Sequence, residues 1–217
     1  MTLKPSDASA LCREVCELAP IIPVLVIDDI ETARPLAEAL IAGGLPALEV
    51  TLRTPVALEA IRIMAEVPGG HVGAGTLLTP ADVGAAKDAG ATFGVSPGAT
   101  DTLLAACEGA DLPLLPGAAT ASEAMRLLER GYDMLKFFPA EASGGAPALK
   151  AIGAPLPQVS FCPTGGVSPE NAGTYLKLAN VLCAGGSWVA PKDLIARRDW
   201  AGIEALARAA VELGTGK

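Results

Sequence analysis

The chain has 217 residues, of which 51% are apolar, 18% charged and 4% aromatic, with a mean hydropathy of +0.42. Such a composition excludes a disordered chain, which lacks the apolar surface to offset ordering entropy, and with so few aromatics small aliphatic residues must fill the core. Sixteen Lys and Arg against 24 Asp and Glu give a net charge of −8, which argues against nucleic acid or an anionic membrane as partner but leaves room for a local basic pocket.

No apolar run approaches the roughly 18 residues of a membrane span. The opening segment has no continuous apolar stretch of the signal-peptide kind. The five cysteines, at 12, 16, 107, 162 and 183, are an odd number and scattered. Cys162 and Cys183 sit in apolar runs and read as buried small hydrophobes. Cys12 and Cys16 lie one helical turn apart, but the single histidine, His71, is distant in sequence, so a zinc site lacks ligands. A reducing cytoplasm is expected.

In chain order, residues 6–18 read as an amphipathic helix placed to plug the end of whatever follows. Then come eight short apolar runs: Ile21–Ile27, Pro46–Val50, Val72–Thr76, Thr92–Val95, Pro113–Pro116, Met134–Phe138, Gln158–Cys162 and Val181–Ala184. Their starts are 20 to 26 residues apart, and each gap carries a helical pattern of Ala, Leu, Glu and Arg. Alternation of this kind predicts a parallel sheet covered by helices, and eight units is the count of a closed barrel. Thr54-Pro55, Thr79-Pro80 and Ser168-Pro169 look like helix N-caps followed by proline at the first helical position, and Thr120 with Glu123 has capping-box spacing. Gly43-Gly44, Gly90, Gly131 and Gly214 fall where helices should stop, and residues 199–213 read as the eighth barrel helix. The expected architecture is α/β: a (β/α)8 TIM barrel with an extra N-terminal helix, one domain over 1–217. An open doubly wound sheet is the alternative.

Barrel chemistry sits at the C-terminal ends of the strands, so the polar residues there are the candidates. Of seven lysines, Lys136 alone lies inside a strand run, between Leu135 and Phe137. If it points inward, desolvation favours the neutral amine that attacks a carbonyl; the competing reading is a lysine that snorkels to the barrel mouth or pairs structurally. Glu49, inside Ala-Leu-Glu-Val, is either that partner or a proton shuttle. Arg53 is either a rim charge or a bidentate grip on a carboxylate. Gly165-Gly166 and Gly185-Gly186, with Ser187, follow the seventh and eighth runs, the place where barrels commonly bind phosphate through backbone amides; alternatively they merely turn the chain.

Two decoys are set aside. Gly94-Val-Ser96-Pro-Gly98 fits the G-x-S-x-G pattern of hydrolases, but Pro97 has no N–H for the oxyanion hole and His71 precedes the serine. Gly73-Ala-Gly75 is not continued as a dinucleotide motif, and no P-loop is present.

Taken together, seven segments resemble the bacterial 2-keto-3-deoxy-6-phosphogluconate (KDPG) aldolases, which also act on 4-hydroxy-2-oxoglutarate. They are Pro20-Ile-Ile-Pro-Val, Glu49-Val-Thr-Leu-Arg-Thr54, Val72-Gly-Ala-Gly-Thr76, Ser96-Pro-Gly98, Lys136-Phe-Phe-Pro-Ala-Glu141, Phe161-Cys-Pro-Thr-Gly-Gly166 and Gly185-Gly-Ser-Trp188. The resemblance implies a trimeric eight-stranded barrel and Schiff-base chemistry without a metal or other cofactor. It implies Lys136 as the Schiff-base lysine and Glu49 as the proton shuttle, with Arg53 and Thr76 on the pyruvyl carboxylate and Pro97 and Phe138 lining the pyruvyl group. It places Thr164 near the substrate hydroxyls and Gly165, Gly166, Gly186 and Ser187 at the phosphate. The implied partners are a phosphorylated 2-keto-3-deoxy sugar acid and pyruvate. Two other readings stand beside it. One is a metal-dependent pyruvate aldolase, although only Glu49 supplies a carboxylate inside a strand run. The other is a barrel that binds a phosphosugar without cleaving it, since fold alone does not fix chemistry.

Overall fold

The computed structural model describes residues 2–214; residues 1 and 215–217 of the expected domain lie outside the described residues. Helix α1 (Pro5–Glu17) precedes strand β1 (Ile21–Leu25), a 3₁₀ turn (Ile30–Thr32), α2 (Ala33–Ala42), β2 (Ala47–Thr51), α3 (Ala57–Ala65) and β3 (His71–Gly75). Next come α4 (Pro80–Asp88), β4 (Phe93–Val95), α5 (Asp101–Gly109), the short strands β5 (Leu114–Leu115) and β6 (Gly117–Ala118), α6 (Ala121–Arg130) and β7 (Met134–Phe137). The chain continues through α7 (Gly145–Gly153), β8 (Ser160–Pro163), α8 (Pro169–Leu176), β9 (Ala184–Gly186), α9 (Lys192–Ala196) and α10 (Trp200–Glu212). The expected α/β alternation is present, except that β5 and β6, and α9 and α10, follow one another directly.

All strand pairs are parallel. Hydrogen bonds join β5-β4-β3-β2-β1-β9 in one curled sheet and β6-β7-β8 in another. The fifth predicted run is split in two at Pro116, which has no N–H to give to a ladder; its carbonyl still accepts from the Lys136 N–H at 2.9 Å. The eighth run lies later than expected, at 184–186 instead of 181–184. Its ladder with β1 begins where β1 becomes available, the Ala184 N–H donating to the Pro20 carbonyl at 2.9 Å. Upstream, Val181 forms an isolated bridge to Phe161.

The sheet has two apolar faces. Outward-facing residues such as Leu48, Val50, Leu135 and Phe137 pack with the helices in the main core. Inward-facing Ile22, Ala47, Phe93, Leu115, Met134 and Cys162 form a second cluster. Helix α1 closes that inner cluster from below with Cys12 and Cys16. It is fastened there: Ser9 Oγ donates to Asp133 Oδ1 at 2.8 Å and accepts from the Met134 N–H at 2.8 Å. Arg13 reaches Ser160 Oγ at 2.8 Å and Asp133 Oδ1 at 3.2 Å. The five cysteines are buried. Burial, and then Glu108, pushes the Cys107 thiol up to about 12.

Two of the predicted caps and the Thr120 capping box form. Thr79 caps α4 with Asp82, and Thr120 caps α6 with Glu123. At α8, Asn171 Oδ1 accepts from the Ser168 N–H at 2.8 Å. Thr54 is no cap: its hydroxyl donates to the Ile27 carbonyl at 2.6 Å, and α3 starts at Ala57. Gly131 ends α6 in the left-handed conformation at φ 104°. Among the described residues no helix is long and apolar enough to cross a membrane.

Candidate active site

Strand alternation carries the inner face upward from the apolar cluster. Met134 and Ala47 belong to the cluster, so Lys136 and Glu49, two residues further along β7 and β2, enter the space directly above it. They meet there. Lys136 Nζ lies 3.1 Å from Glu49 Oε1 and 3.4 Å from Oε2. The two residues are 5% and 3% exposed. Two charges buried this deeply are tolerable only because each satisfies the other. The Phe138 ring centroid is 5.3 Å from Nζ, within reach of a cation–π contact. A glycine leaves room for the pair: a side chain at Gly75 would run into the Glu49 carboxylate.

Above the pair a cavity of about 500 Å³ opens at the C-terminal ends of the strands. Of the residues implicated by sequence, Arg53, Lys136, Phe138, Thr164, Gly165, Gly166 and Ser187 line it. Glu49, Thr76, Pro97 and Gly186 are not on its wall. Glu49 touches the lining through Lys136. Thr76 does so through Arg53, whose Nε donates to Thr76 Oγ1 at 3.1 Å. Thr76 takes φ 63°, a conformation that a β-branched residue adopts only under strain. The backbone of Pro97 packs against Gly117. A side chain at Gly186 would collide with the ring of Trp188, so the glycine lets that indole fold onto the wall.

The loop after β8 forms the far end of the cavity. Gly165 and Gly166 have φ 98° and 79°, left-handed values that suit glycine. The Glu141 N–H donates to the Gly165 carbonyl at 3.0 Å, and Asn171 Nδ2 donates to the Gly166 carbonyl at 3.0 Å. Glu141 also accepts a short hydrogen bond from the Tyr175 hydroxyl; burial first, and this bond second, raise the Tyr175 pKa above its ordinary value. Thr164 is buried, its Oγ1 3.5 Å from the Cys162 carbonyl.

Several lining residues had no site role assigned from sequence, among them Val24, Val26, Trp188 and Lys192. The alternation Ile22-Val24-Val26 was a usable signal for the first two. Lys192, after Pro191, looks like any exposed helix charge. The hydrolase decoy fails in space as in sequence. His71 starts β3 while Ser96 follows the end of β4, at opposite ends of the sheet. Ser96 Oγ is buried without a hydrogen-bond partner. Among the described residues no three His, Cys, Asp or Glu side chains converge as a metal site would require.

A model of the KDPG and KHG aldolase family matches residues 12–206. The chain belongs to that family. A KHG/KDPG aldolase of Escherichia coli is 52% identical to this family member over 201 residues, covering 92% of this chain and 94% of the relative. Among solved structures, a 2-keto-3-deoxy-6-phosphogluconate aldolase of Zymomonas mobilis with 3-phosphoglycerate is 52% identical with a TM-score of 0.88, covering 92% of this chain and 94% of the other. A KDPG aldolase of Legionella pneumophila, with pyruvate captured as a covalent carbinolamine intermediate, is 47% identical with a TM-score of 0.89, covering 96% of this chain and 98% of the other.

Proposed function

We propose that the protein is a class I aldolase. It cleaves 2-dehydro-3-deoxy-6-phosphogluconate to pyruvate and glyceraldehyde 3-phosphate, and 4-hydroxy-2-oxoglutarate to pyruvate and glyoxylate. The observation that carries this reading is the buried pair of Lys136 and Glu49, 3.1 Å apart at the floor of the cavity. The carbinolamine of the Legionella pneumophila relative supports the same chemistry.

Lys136 gives a proton to Glu49, and its free amine attacks the C2 ketone. The carbinolamine hydroxyl takes that proton back from Glu49 and leaves as water, forming an iminium and restoring the carboxylate. Glu49 then accepts the C4 hydroxyl proton, the C3–C4 bond breaks, and its electron pair flows into the iminium to leave an enamine. The aldehyde departs, Glu49 returns the proton to C3, and water frees pyruvate from Lys136. Arg53, oriented by Thr76, faces the substrate carboxylate. Pro97 and Phe138 bound the pyruvyl group, and Thr164 meets the substrate hydroxyls. The amides of Gly165, Gly166 and Gly186, with the Ser187 hydroxyl, receive the phosphate.

The same reading takes the two hydrogen-bonded sheets as one closed (β/α)8 barrel in a single domain. Only Pro116 separates β5 from β6, and isolated bridges Phe161–Val181 and Thr164–Gly185 join the β8 and β9 segments. A homotrimer in the cytoplasm follows from the family resemblance.

The test is reduction with borohydride in the presence of pyruvate, followed by peptide mass spectrometry. A reduced pyruvyl adduct is expected on Lys136, and Lys136→Met removes both adduct and cleavage. An active enzyme labelled elsewhere, or not labelled, overturns the assignment. Glu49→Gln should lower turnover by about 10²–10⁴, the range for a positioned acid–base group.

A further inference from the structure

We propose that Lys192 is a specificity residue for the phosphorylated substrate, a cation parked on Asp28 and exchanged onto the substrate phosphate. The inference rests on the aldolase reading of the cavity and extends it to a residue outside the strand-end motifs.

Lys192 lines the same cavity as Gly165, Gly166 and Ser187. Of the other two cations on that wall, Lys136 is paired with Glu49, and Arg53, held by Thr76 through Nε, is the one assigned above to the substrate carboxylate. Lys192 Nζ lies 3.2 Å from Asp28 Oδ2, and the two side chains are 78% and 65% exposed. An ion pair this open contributes little to stability, so exchanging the carboxylate for another anion costs little. A phosphate monoester carries about −1.5 to −2 charges near neutrality. Backbone amides and a serine hydroxyl can hydrogen-bond it but supply no net charge. In a chain of net charge −8, an ammonium carried on the same wall can swing from Asp28 to balance the phosphate, and a flexible lysine serves as a point charge for it.

Asp28 has a definite part in this arrangement. It competes with phosphate for Lys192 and repels the dianion. Its removal therefore strengthens phosphate binding, the opposite of removing Lys192. Opposed effects at two residues in contact are what a merely structural surface pair would not produce.

The experiment titrates inorganic phosphate into the full-length protein by calorimetry and measures kcat/KM for the phosphorylated six-carbon substrate and for 4-hydroxy-2-oxoglutarate. Lys192→Met should weaken phosphate binding roughly three- to tenfold. It should raise KM for the phosphorylated substrate by a similar factor, with kcat and the unphosphorylated substrate unchanged. Lys192→Arg should restore most of the loss, and Asp28→Asn should tighten phosphate binding. Unchanged phosphate affinity in Lys192→Met, equal losses on both substrates, weaker binding in Asp28→Asn, or no phosphate binding by the wild type overturns the proposal. Should the protein cleave neither substrate, the aldolase reading fails, while the calorimetric titration still decides the role of Lys192.

Discussion

Gly75 provides a way to displace the proposed proton shuttle without touching it. The residue lies in β3, opposite Thr51 of β2. A Cβ built there would lie 2.7 Å from Glu49 Cγ and 2.9 Å from Cδ, and closer still to Oε1. The backbone φ at Gly75 is not in the left-handed region, so Gly75→Ala adds no backbone strain to this contact. The far end of Glu49 is the soft partner, and its easiest response is to rotate away, which breaks its 3.1 Å bond to Lys136. The stability cost should be that of modest overpacking, about 1–3 kcal/mol. For a chain of this size that lowers Tm by roughly 2–4 °C per kcal/mol. The kinetic cost should be far larger, because misplacing a catalytic group by about 1 Å can cost 10² in rate, and losing the group altogether about 10²–10⁴. The assay pairs thermal melting with steady-state cleavage and pyruvate trapping by borohydride. A folded variant is expected with turnover reduced at least about a hundredfold and trapping at Lys136 retained though slowed. A folded Gly75→Ala with wild-type turnover would refute the reasoning that the carboxylate position at this contact matters to the reaction.

Other outcomes follow from the geometry. Thr164→Val removes the one hydroxyl at a buried point of the wall and should alter the ratio of kcat/KM between substrates epimeric at C4; an unchanged ratio removes Thr164 from the recognition of the hydroxyls. Gly166→Val forces a side chain onto φ 79° and against Glu141 Cβ and Cγ at 2.7 Å. It should harm the phosphorylated substrate far more than 4-hydroxy-2-oxoglutarate, with Ser187→Ala doing so more mildly, by about 1 kcal/mol. At the cap of α6, Thr120→Ala should cost about 1 kcal/mol by thermal or chemical melting at neutral pH. Glu123 there accepts from the Ala119 and Thr120 N–H groups, which hold its pKa below the ordinary 4.5. A depressed folded-state pKa gives stability that is present above the unfolded value and lost as pH falls through the folded one. The wild type should therefore lose its advantage over Glu123→Gln as the medium is acidified below about pH 4.5.

The apolar runs and the strand-end residues were legible because both depend on local rules. Alternation in Met134, Lys136 and Phe138 and in Ala47 and Glu49 says which side chains share a face, and parallel strands then bring the two charges together. Capping by Thr79 and Thr120 was legible for the same reason: the partner is three residues away. Thr54 was misread because its hydroxyl is claimed by the Ile27 carbonyl of a neighbouring segment, a competitor that no local pattern reveals. The late start of β9 depends likewise on where Pro20 and β1 lie in space. Trp188 and Lys192 had no site role assigned from sequence because each reaches the cavity from beyond a strand end, where side-chain direction is set by tertiary packing and not by a period of two.

The φ of 63° at Thr76 places this enzyme family member in conflict with its own stabilisation. A glycine or asparagine at position 76 would relax the backbone, and either would be an attractive choice for anyone raising the melting temperature by relieving unfavourable dihedrals. Glycine, however, would leave Arg53 Nε without its oxygen partner and free the guanidinium to swing. Thermostabilisation campaigns should therefore treat residue 76 as fixed and look for gains elsewhere, since the most uncomfortable torsion near the cavity is also the one that aims its arginine.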